Sequence, residues 1–131
     1  LEVSIDGAKG VLFTISGGKV LVKLLVGEVT TVIQTQANAS KITFDPTDTG
    51  ATQDLSATLD ITADAVGTMY HISGLGTDAM RDNLNYGRGG LTAAPLILKP
   101  GTILLDCAAT NTGATKWSIW YVPIEDGASI A

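Results

Sequence analysis

The sequence has few of the residues on which most active sites and small secreted proteins depend. It contains one cysteine, Cys107, which excludes the disulfide framework of small secreted domains. It contains one histidine, His71, which excludes most histidine-based metal centres and proton relays. Only 16% of its 131 residues are charged, against about a quarter in an average domain. These scarcities exclude classes of function and assign none.

The charge balance is acidic. Eight Lys and Arg residues against thirteen Asp and Glu residues give a net charge of -5. An acidic chain is repelled by phosphate backbones and by anionic lipids, so we expect neither nucleic acid nor a membrane as a partner. The longest apolar run, 20–26, is interrupted by Lys23 and is much shorter than the roughly 20 residues of a membrane-spanning helix. The length predicts one domain covering residues 1–131.

Apolar residues recur at every second position along most of the chain, which is typical of strands. The segment 54–63 alternates strictly and predicts one half-buried strand, and 20–26 predicts another. The pair Gly17 and Gly18 predicts a hairpin that joins 20–26 to a strand at 11–15. Further strands are predicted at 29–35, 41–44, 68–73, Leu96–Leu98, 102–109 and 116–122. The one helical candidate is the two-turn segment 77–84.

These elements predict an all-β fold. We expect a single-domain antiparallel β-sandwich with jelly-roll connections and at most one short helix near 77–84. Eight or nine short strands suit two four-stranded sheets. Sequence does not determine strand order, so a closed barrel stays open as an alternative.

The residue types that carry catalysis are present without the partners they need, so we expect no catalytic residue, no metal site and no cofactor. His71 is predicted to be a partly buried histidine that bonds to a backbone group or a neighbouring side chain, because no second histidine exists to share a metal. Cys107 alternates with Ile103 and Leu105 and is predicted to be a core residue. Paired carboxylates are expected to be solvated turn residues, with a glycosidase pair or a calcium loop as weaker alternatives. The pairs are Asp45 and Asp48, Asp78 and Asp82, and Glu125 and Asp126.

Three candidate interface residues lie in the glycine-rich central segment. Arg81 and Arg88 are the only arginines in the chain, and Tyr86 lies between them. Loops of this composition often carry recognition, and Arg and Tyr are frequent anchors of interfaces. The alternative is an ion pair between Arg81 and an aspartate that only holds the loop.

Three further candidate interface residues lie on the last predicted strand. Trp117 and Tyr121 share one face of this strand, and Trp120 lies on the other. One face must be core, so the other presents an aromatic ring to solvent or to a partner.

Two segments, 21–26 and 103–105, are apolar on both faces. A strand of a small sandwich should have one face toward water. Apolarity on both faces therefore predicts a second buried surface and a homo-oligomer, and a trimer would suit a jelly roll.

Three segments, 59–74, 98–103 and 116–123, resemble small structural proteins of tailed bacteriophages. The class that they resemble is the head decoration, or cement, proteins. The shared features are strands rich in Thr, Ala and Gly, few charges and a closing aromatic strand. The resemblance implies a homotrimer on the capsid surface that bridges neighbouring major capsid proteins at local threefold positions and stabilises the head. It carries over no functional residue.

Three alternatives stay open beside this one. The first is another virion part, such as a tail, baseplate or head-fibre domain that binds a receptor. The second is a carbohydrate-binding module, which would expose aromatic rings and act as a monomer. The third and least favoured is an enzyme, for which Asp78 and Asp82 would be the first candidates.

Overall fold

A computed structural model of the protein describes residues 2–4, 10–82 and 88–131. Two antiparallel sheets pack together, and among these residues there is no helix, and so none that could cross a membrane. The predicted all-β sandwich is confirmed. The jelly-roll connection stays a prediction.

The first sheet is built around the long pair of central strands. In spatial order it contains β1 (Glu2–Ser4), β11 (Ala114–Pro123), β3 (Val20–Thr31), β7 (Met69–His71) and β8 (Arg81–Asp82), and β9 (Leu96–Leu98) pairs with β3 beside β7.

The second sheet has a similar layout. In spatial order it contains β12 (Ser129–Ile130), β2 (Gly10–Ser16), β10 (Gly101–Cys107), β4 (Ala39–Pro46) and β5 (Gln53–Asp54), and β6 (Leu59–Asp60) also pairs with β4.

The core lies between the two sheets and is formed by alternate side chains of the long strands. From the first sheet these include Val22, Leu25, Val29, Tyr70 and Trp117, and from the second Phe13, Ile15, Ile42, Phe44, Ile103 and Leu105. The alternation places the remaining side chains of each strand on the outer face of its sheet.

One row of residues crosses the first sheet on its core-facing side. Trp117, Gly27 and Tyr70 are register partners on β11, β3 and β7. The two rings are stacked at 22° with centroids 6.2 Å apart. A Cβ at Gly27 would lie 2.8 Å from the ring atoms of Trp117, so the stack needs a glycine on the strand between its two members. Such an aromatic pair contributes about 0.5–1.5 kcal/mol beyond its buried area.

A β-bulge in β3 changes which side chains face the core. Trp120 pairs with Leu24 and Tyr121 pairs with Val22, so Lys23 is an extra residue. The next side chain after Val22 to face the core is therefore that of Leu25. Leu24 lies half-buried on the outer face. The bulge explains why this strand is apolar on both sides in the sequence.

Most of the predicted strands are present with changed ends. The structure confirms strands at Leu96–Leu98 and within 41–44, 68–73, 102–109 and 116–122. The segment 29–35 is not a separate strand, since β3 extends into it and ends at Thr31, and 32–35 are not in a strand.

The predicted hairpin at Gly17 and Gly18 is wrong. These residues join β2 of the second sheet to β3 of the first, so the chain changes sheets there. Both have positive φ, and a Cβ at Gly17 would lie 2.1 Å from the backbone oxygen of Gly127. Glycine permits this close crossing of two chain segments because it has no side chain. Paired glycines also occur in tight hairpin turns, so the two cases look alike in the sequence.

The predicted single strand at 54–63 is also wrong. Only Asp54, the last residue of β5, and the two residues of β6 lie in strands there, and 55–58 between them lie outside both strands. Ser56 turns inward, where its hydroxyl accepts a hydrogen bond from the backbone N–H of Ile42 at 3.0 Å. In a strictly alternating strand the side chain of Ser56 would point outward, but here it is buried.

The described part of the predicted helix at 77–84 is a turn followed by β8. The backbone carbonyl of Asp78 accepts a hydrogen bond from the N–H of Ala57 at 2.7 Å, and the N–H of Met80 donates to the carbonyl of Ala57 at 3.1 Å. Bonds to a distant segment replace the local bonds of a helix, and Met80 is buried. Residues 83 and 84 lie outside the described chain.

We expect Gly27→Ala to destabilise the fold by about 1–3 kcal/mol, because the new methyl group must displace the Trp117 ring. Urea unfolding followed by circular dichroism measures the change. Gly89→Ala is the matched control, since a Cβ there would lie at an ordinary 3.4 Å from Met69. Equal stability of the two variants would contradict the role given to Gly27.

Candidate functional site

A basic pocket lies at the β7–β8 edge of the first sheet, where Leu59 of β6 in the second sheet also borders it. His71 on β7 and Arg81 on β8 are register partners, so their side chains are neighbours on the outer face of the first sheet. The cavity has a volume of about 360 Å³. It is lined by Leu59, His71, Met80, Arg81, Asp82, Arg88, Gly89 and Gly90.

His71 forms one wall of this basic pocket. A Cβ at Gly90 would lie 3.4 Å from its Cδ2 and Nε2 atoms, so this edge of the imidazole faces the glycine. Burial and the guanidinium groups of Arg81 and Arg88 lower the pKa of His71 below its usual 6.5, while Asp82 acts in the opposite direction. The sequence predicted a hydrogen-bonded histidine, but the buried Nδ1 atom has no hydrogen-bond partner within 10–82 and 88–131. The imidazole is half-buried, and this burial together with the neighbouring positive charge disfavours its protonation.

Both arginines of the chain line the same pocket. Arg81 has an ion pair with Asp78, as the alternative interpretation required, but the N–O distance is 3.9 Å and the guanidinium side chain is 61% exposed. An exposed pair of this length contributes little to stability. Tyr86, the third candidate from this segment, lies outside the described residues.

The three aromatic candidates of β11 divide between core and surface. Trp117 is 1% exposed, and its Nε1 donates to the hydroxyl of Thr115 at 2.9 Å, which makes it a core residue. Tyr121 is partly buried and packs against the core. Trp120 is 58% exposed on the outer face. It is the member of this group whose ring is available to a partner.

Trp120 lies on a mainly apolar surface, which we call the Trp120 patch and on which the charged Lys23 is also exposed. The register places Trp120 beside Leu24, and Leu21 between Ile97 and Val122. The patch consists of Leu21, Leu24, Val26, Leu91, Ile97, Trp120 and Val122. Trp120 and Leu91 also border a groove of about 250 Å³ that shares Gly89 and Gly90 with the basic pocket. The apolar and the basic surfaces therefore adjoin.

The other candidates for chemistry have structural roles. Cys107 is 5% exposed within the core, as predicted. The ion pair of Glu125 with Lys19, at 2.7 Å, and that of Asp48 with Lys99, at 2.9 Å, join loops. Hydrogen bonds from these lysines lower the pKa of both carboxyl groups. Among the described residues, no cluster of three or more His, Cys, Asp or Glu side chains has the arrangement of a metal site.

Sequence reasoning missed the buried carboxyl group of Asp64. The Tyr70 hydroxyl donates to its Oδ2 at 2.6 Å. The ring of the same tyrosine stacks on Trp117. Burial raises the pKa of Asp64 above its usual 3.8, although the bond from Tyr70 acts in the opposite direction. In the sequence Asp64 has the same turn-like surroundings as the exposed aspartates, so no local signal separates it from them.

Sequence reasoning also failed to bring His71 to the two arginines. Arg81 and Arg88 are close in sequence and were grouped for that reason. His71 joins them only through the pairing of β7 with β8. Because 77–84 is predicted to be a helix, its residues 81 and 82 are not expected to pair with β7. A predicted strand at 81–82 would have indicated the pairing.

Comparisons with protein-family models, with curated proteins and with solved structures found no match to this chain. The geometry of the basic pocket and the Trp120 patch is therefore the basis for assigning a function. A pocket with two guanidinium groups can bind an anion. An apolar surface that adjoins it can bind another protein.

Asp64 gives a prediction for the pH dependence of stability. Folded Asp64 holds its proton to a higher pH than it does in the unfolded chain, so its contribution to the free energy of unfolding falls as pH rises above 3.8 toward the raised folded pKa. Asp64→Asn keeps an oxygen that accepts the Tyr70 bond and has no proton to lose. In urea unfolding we expect the stability of the wild type relative to this variant to fall as pH rises above 3.8. A difference that is constant or rises with pH would contradict this assignment.

Proposed function

We propose that this chain is a non-enzymatic virion structural protein, a capsid decoration or cement protein. In this proposal it forms a homotrimer on the capsid surface, binds the major capsid protein lattice and stabilises the head. The observation that carries the proposal is the Trp120 patch on the outer face of the first sheet. The patch is the contact surface between copies of the chain in the trimer.

The composition of the patch supports a protein–protein contact. Leu91 is 75% exposed, Ile97 is 64% exposed and Trp120 is 58% exposed. Monomeric proteins rarely expose several large apolar side chains close together, and tryptophan is a frequent anchor of interfaces. Burying one Val, Leu or Ile side chain contributes about 1.5–3 kcal/mol, so covering several of them offsets the cost of association.

The outer face of the second sheet supports a one-sided attachment. Lys41 pairs there with Asp54 at 2.9 Å, and Asp45 accepts a hydrogen bond from Thr52 at 3.1 Å. Hydrogen bonding to Asp54 raises the pKa of Lys41, which favours its charged form. A charged outer face suits exposure to solvent.

We expect light scattering at micromolar concentration to give about three times the chain mass of 13.5 kDa. Trp120→Thr should raise the dissociation constant of the trimer at least about thirtyfold, the effect of losing one hot-spot side chain. Val11→Thr is the matched control, because Val11 is 51% exposed but lies on the second sheet. A monomeric wild type, or equal effects of the two substitutions, would contradict the assignment of the patch.

We expect the purified chain to co-sediment saturably with expanded heads that are built from the major capsid protein of its parent phage and lack decoration protein. Decorated heads should withstand higher temperature than bare heads, because bridged neighbours resist separation. Val11→Thr should retain binding and Trp120→Thr should lose it, since the trimer supplies several contacts at once. Wild-type trimers that fail to bind these heads would overturn the cement proposal.

One observation favours a second candidate, a carbohydrate-binding module or a receptor-binding virion domain. The exposed ring of Trp120 borders a groove that adjoins a polar pocket, and such a combination suits a sugar ring and its hydroxyl groups. Glycan binding by a monomeric chain would favour this candidate. Saturable binding to heads by a trimer would exclude it as the main function.

A further inference from the structure

The strand β8 is held to the first sheet at a point where a histidine is half-buried. β8 contains two residues, and its strand pairing among the described residues is with β7 alone. His71 of β7 is the register partner of Arg81 of β8, and its imidazole is half-buried between the two strands and Gly90. The state of this one side chain therefore bears directly on whether β8 stays paired.

The buried Nδ1 atom of His71 is poorly placed to carry a proton. It has no hydrogen-bond partner within 10–82 and 88–131. A neutral imidazole can leave one ring nitrogen without a proton, whereas a charged imidazole has an N–H group at both nitrogens. Protonation therefore places a charged donor at a buried position where no described residue accepts its hydrogen bond, and such a group is costly to keep.

The charged groups around the imidazole act in both directions. Arg81 of β8 and Arg88 oppose a positive charge on His71, and Asp82 of β8 favours one. Asp78 offsets part of the Arg81 charge through the ion pair at 3.9 Å. Burial is the strongest of these influences, and together they hold the pKa of His71 below its usual 6.5.

The other elements that pack against His71 supply little polarity. On β3 its register partner is the apolar Val26, and the exposed Glu28 lies two residues further along that strand. Leu59 of β6 and the buried Met80 add apolar walls to the same pocket. Apolar walls cannot replace the water that a charged imidazole requires.

We propose that His71 is an acid-sensitive latch, whose protonation releases β8 from β7 and leaves the rest of the fold intact. Separating these two short strands gives the charged imidazole access to water, which satisfies both of its N–H groups. At neutral pH the uncharged ring stays between the strands, and they remain paired. The latch is a property of the single chain and does not depend on the proposed function.

The next residue toward the N-terminus holds β7 itself in place. Tyr70 is buried in the core, where its hydroxyl donates to Asp64 at 2.6 Å. Because the pKa of Asp64 is raised, acid favours the folded chain at this carboxyl group. Acid therefore stabilises the inner side of β7 and destabilises the pairing beside His71, which confines the release to β8.

The sign of the pH response follows from the lowered pKa of His71. The paired state disfavours the charged imidazole, so the pairing is strongest above pH 6.5 and weakens as pH falls below that value. The ratio of released to paired chains should rise by about tenfold for each pH unit, until His71 is protonated in the paired state as well.

The test combines a histidine titration with amide hydrogen exchange by NMR on the full chain between pH 8 and pH 5. His71 is the only histidine, so its imidazole signals are unambiguous, and we expect their midpoint below pH 6.5. Exchange rates of 80–82, corrected for the intrinsic effect of pH, should rise below pH 6.5. The corrected rates of β12, a two-residue edge strand of the second sheet, should stay constant and serve as the internal reference.

Two variants assign the response to His71 and to its burial. His71→Gln keeps a polar side chain that does not titrate, so its corrected exchange rates at 80–82 should not depend on pH. Arg81→Gln removes one guanidinium group and leaves the imidazole half-buried, so the His71 midpoint should move upward and stay below 6.5. Circular dichroism checks that each variant is folded.

Four results would overturn the inference. A His71 midpoint at or above pH 6.5 would show that the paired strands accept the charged imidazole. Corrected exchange at 80–82 that does not change with pH would exclude a release of β8. The same pH dependence in His71→Gln would assign the release to another group. A parallel loss of protection in β12 would show that acid unfolds the whole chain.

Discussion

The stack of Trp117 on Tyr70 across Gly27 fixes the register of three strands, and the two functional surfaces depend on that register. With these three residues turned toward the core, their neighbours along each strand must face outward. His71 therefore lies on the outer face, opposite Arg81. A shift of one residue would bury the imidazole and separate it from the guanidinium groups. The core thus determines where the basic pocket forms.

The bulge at Lys23 determines the composition of the neighbouring surface. By adding one residue to β3, it moves Leu25 into the core and leaves Leu24 beside Trp120 on the outer face. The apolar sequence of this strand thus serves both the core and an exposed surface. An apolar surface next to a basic pocket offers a partner two kinds of contact, one for affinity and one for orientation.

Local pattern predicted the fold class and most strands, because strands such as β9, β10 and β11 alternate or are continuously apolar. It failed where partners are distant in sequence. The glycines at 17 and 18 look like a hairpin, but the sheet to which each flanking strand belongs is set by packing. The segment 77–84 has a helical composition, but its backbone pairs with Ala57. For the site, sequence grouped Arg81 with Arg88 by proximity, and only the pairing of two short strands adds His71.

In the proposed trimer, other copies of the chain cover the outer face of the first sheet. The two tryptophans of the chain provide a direct measurement, since Trp117 is buried and Trp120 is exposed in the single chain. Acrylamide quenching of their fluorescence is followed across a dilution series. We expect two inaccessible rings at high concentration and one accessible ring on dilution to the monomer. An equally accessible Trp120 at every concentration, including those at which the trimer mass is measured, would contradict it.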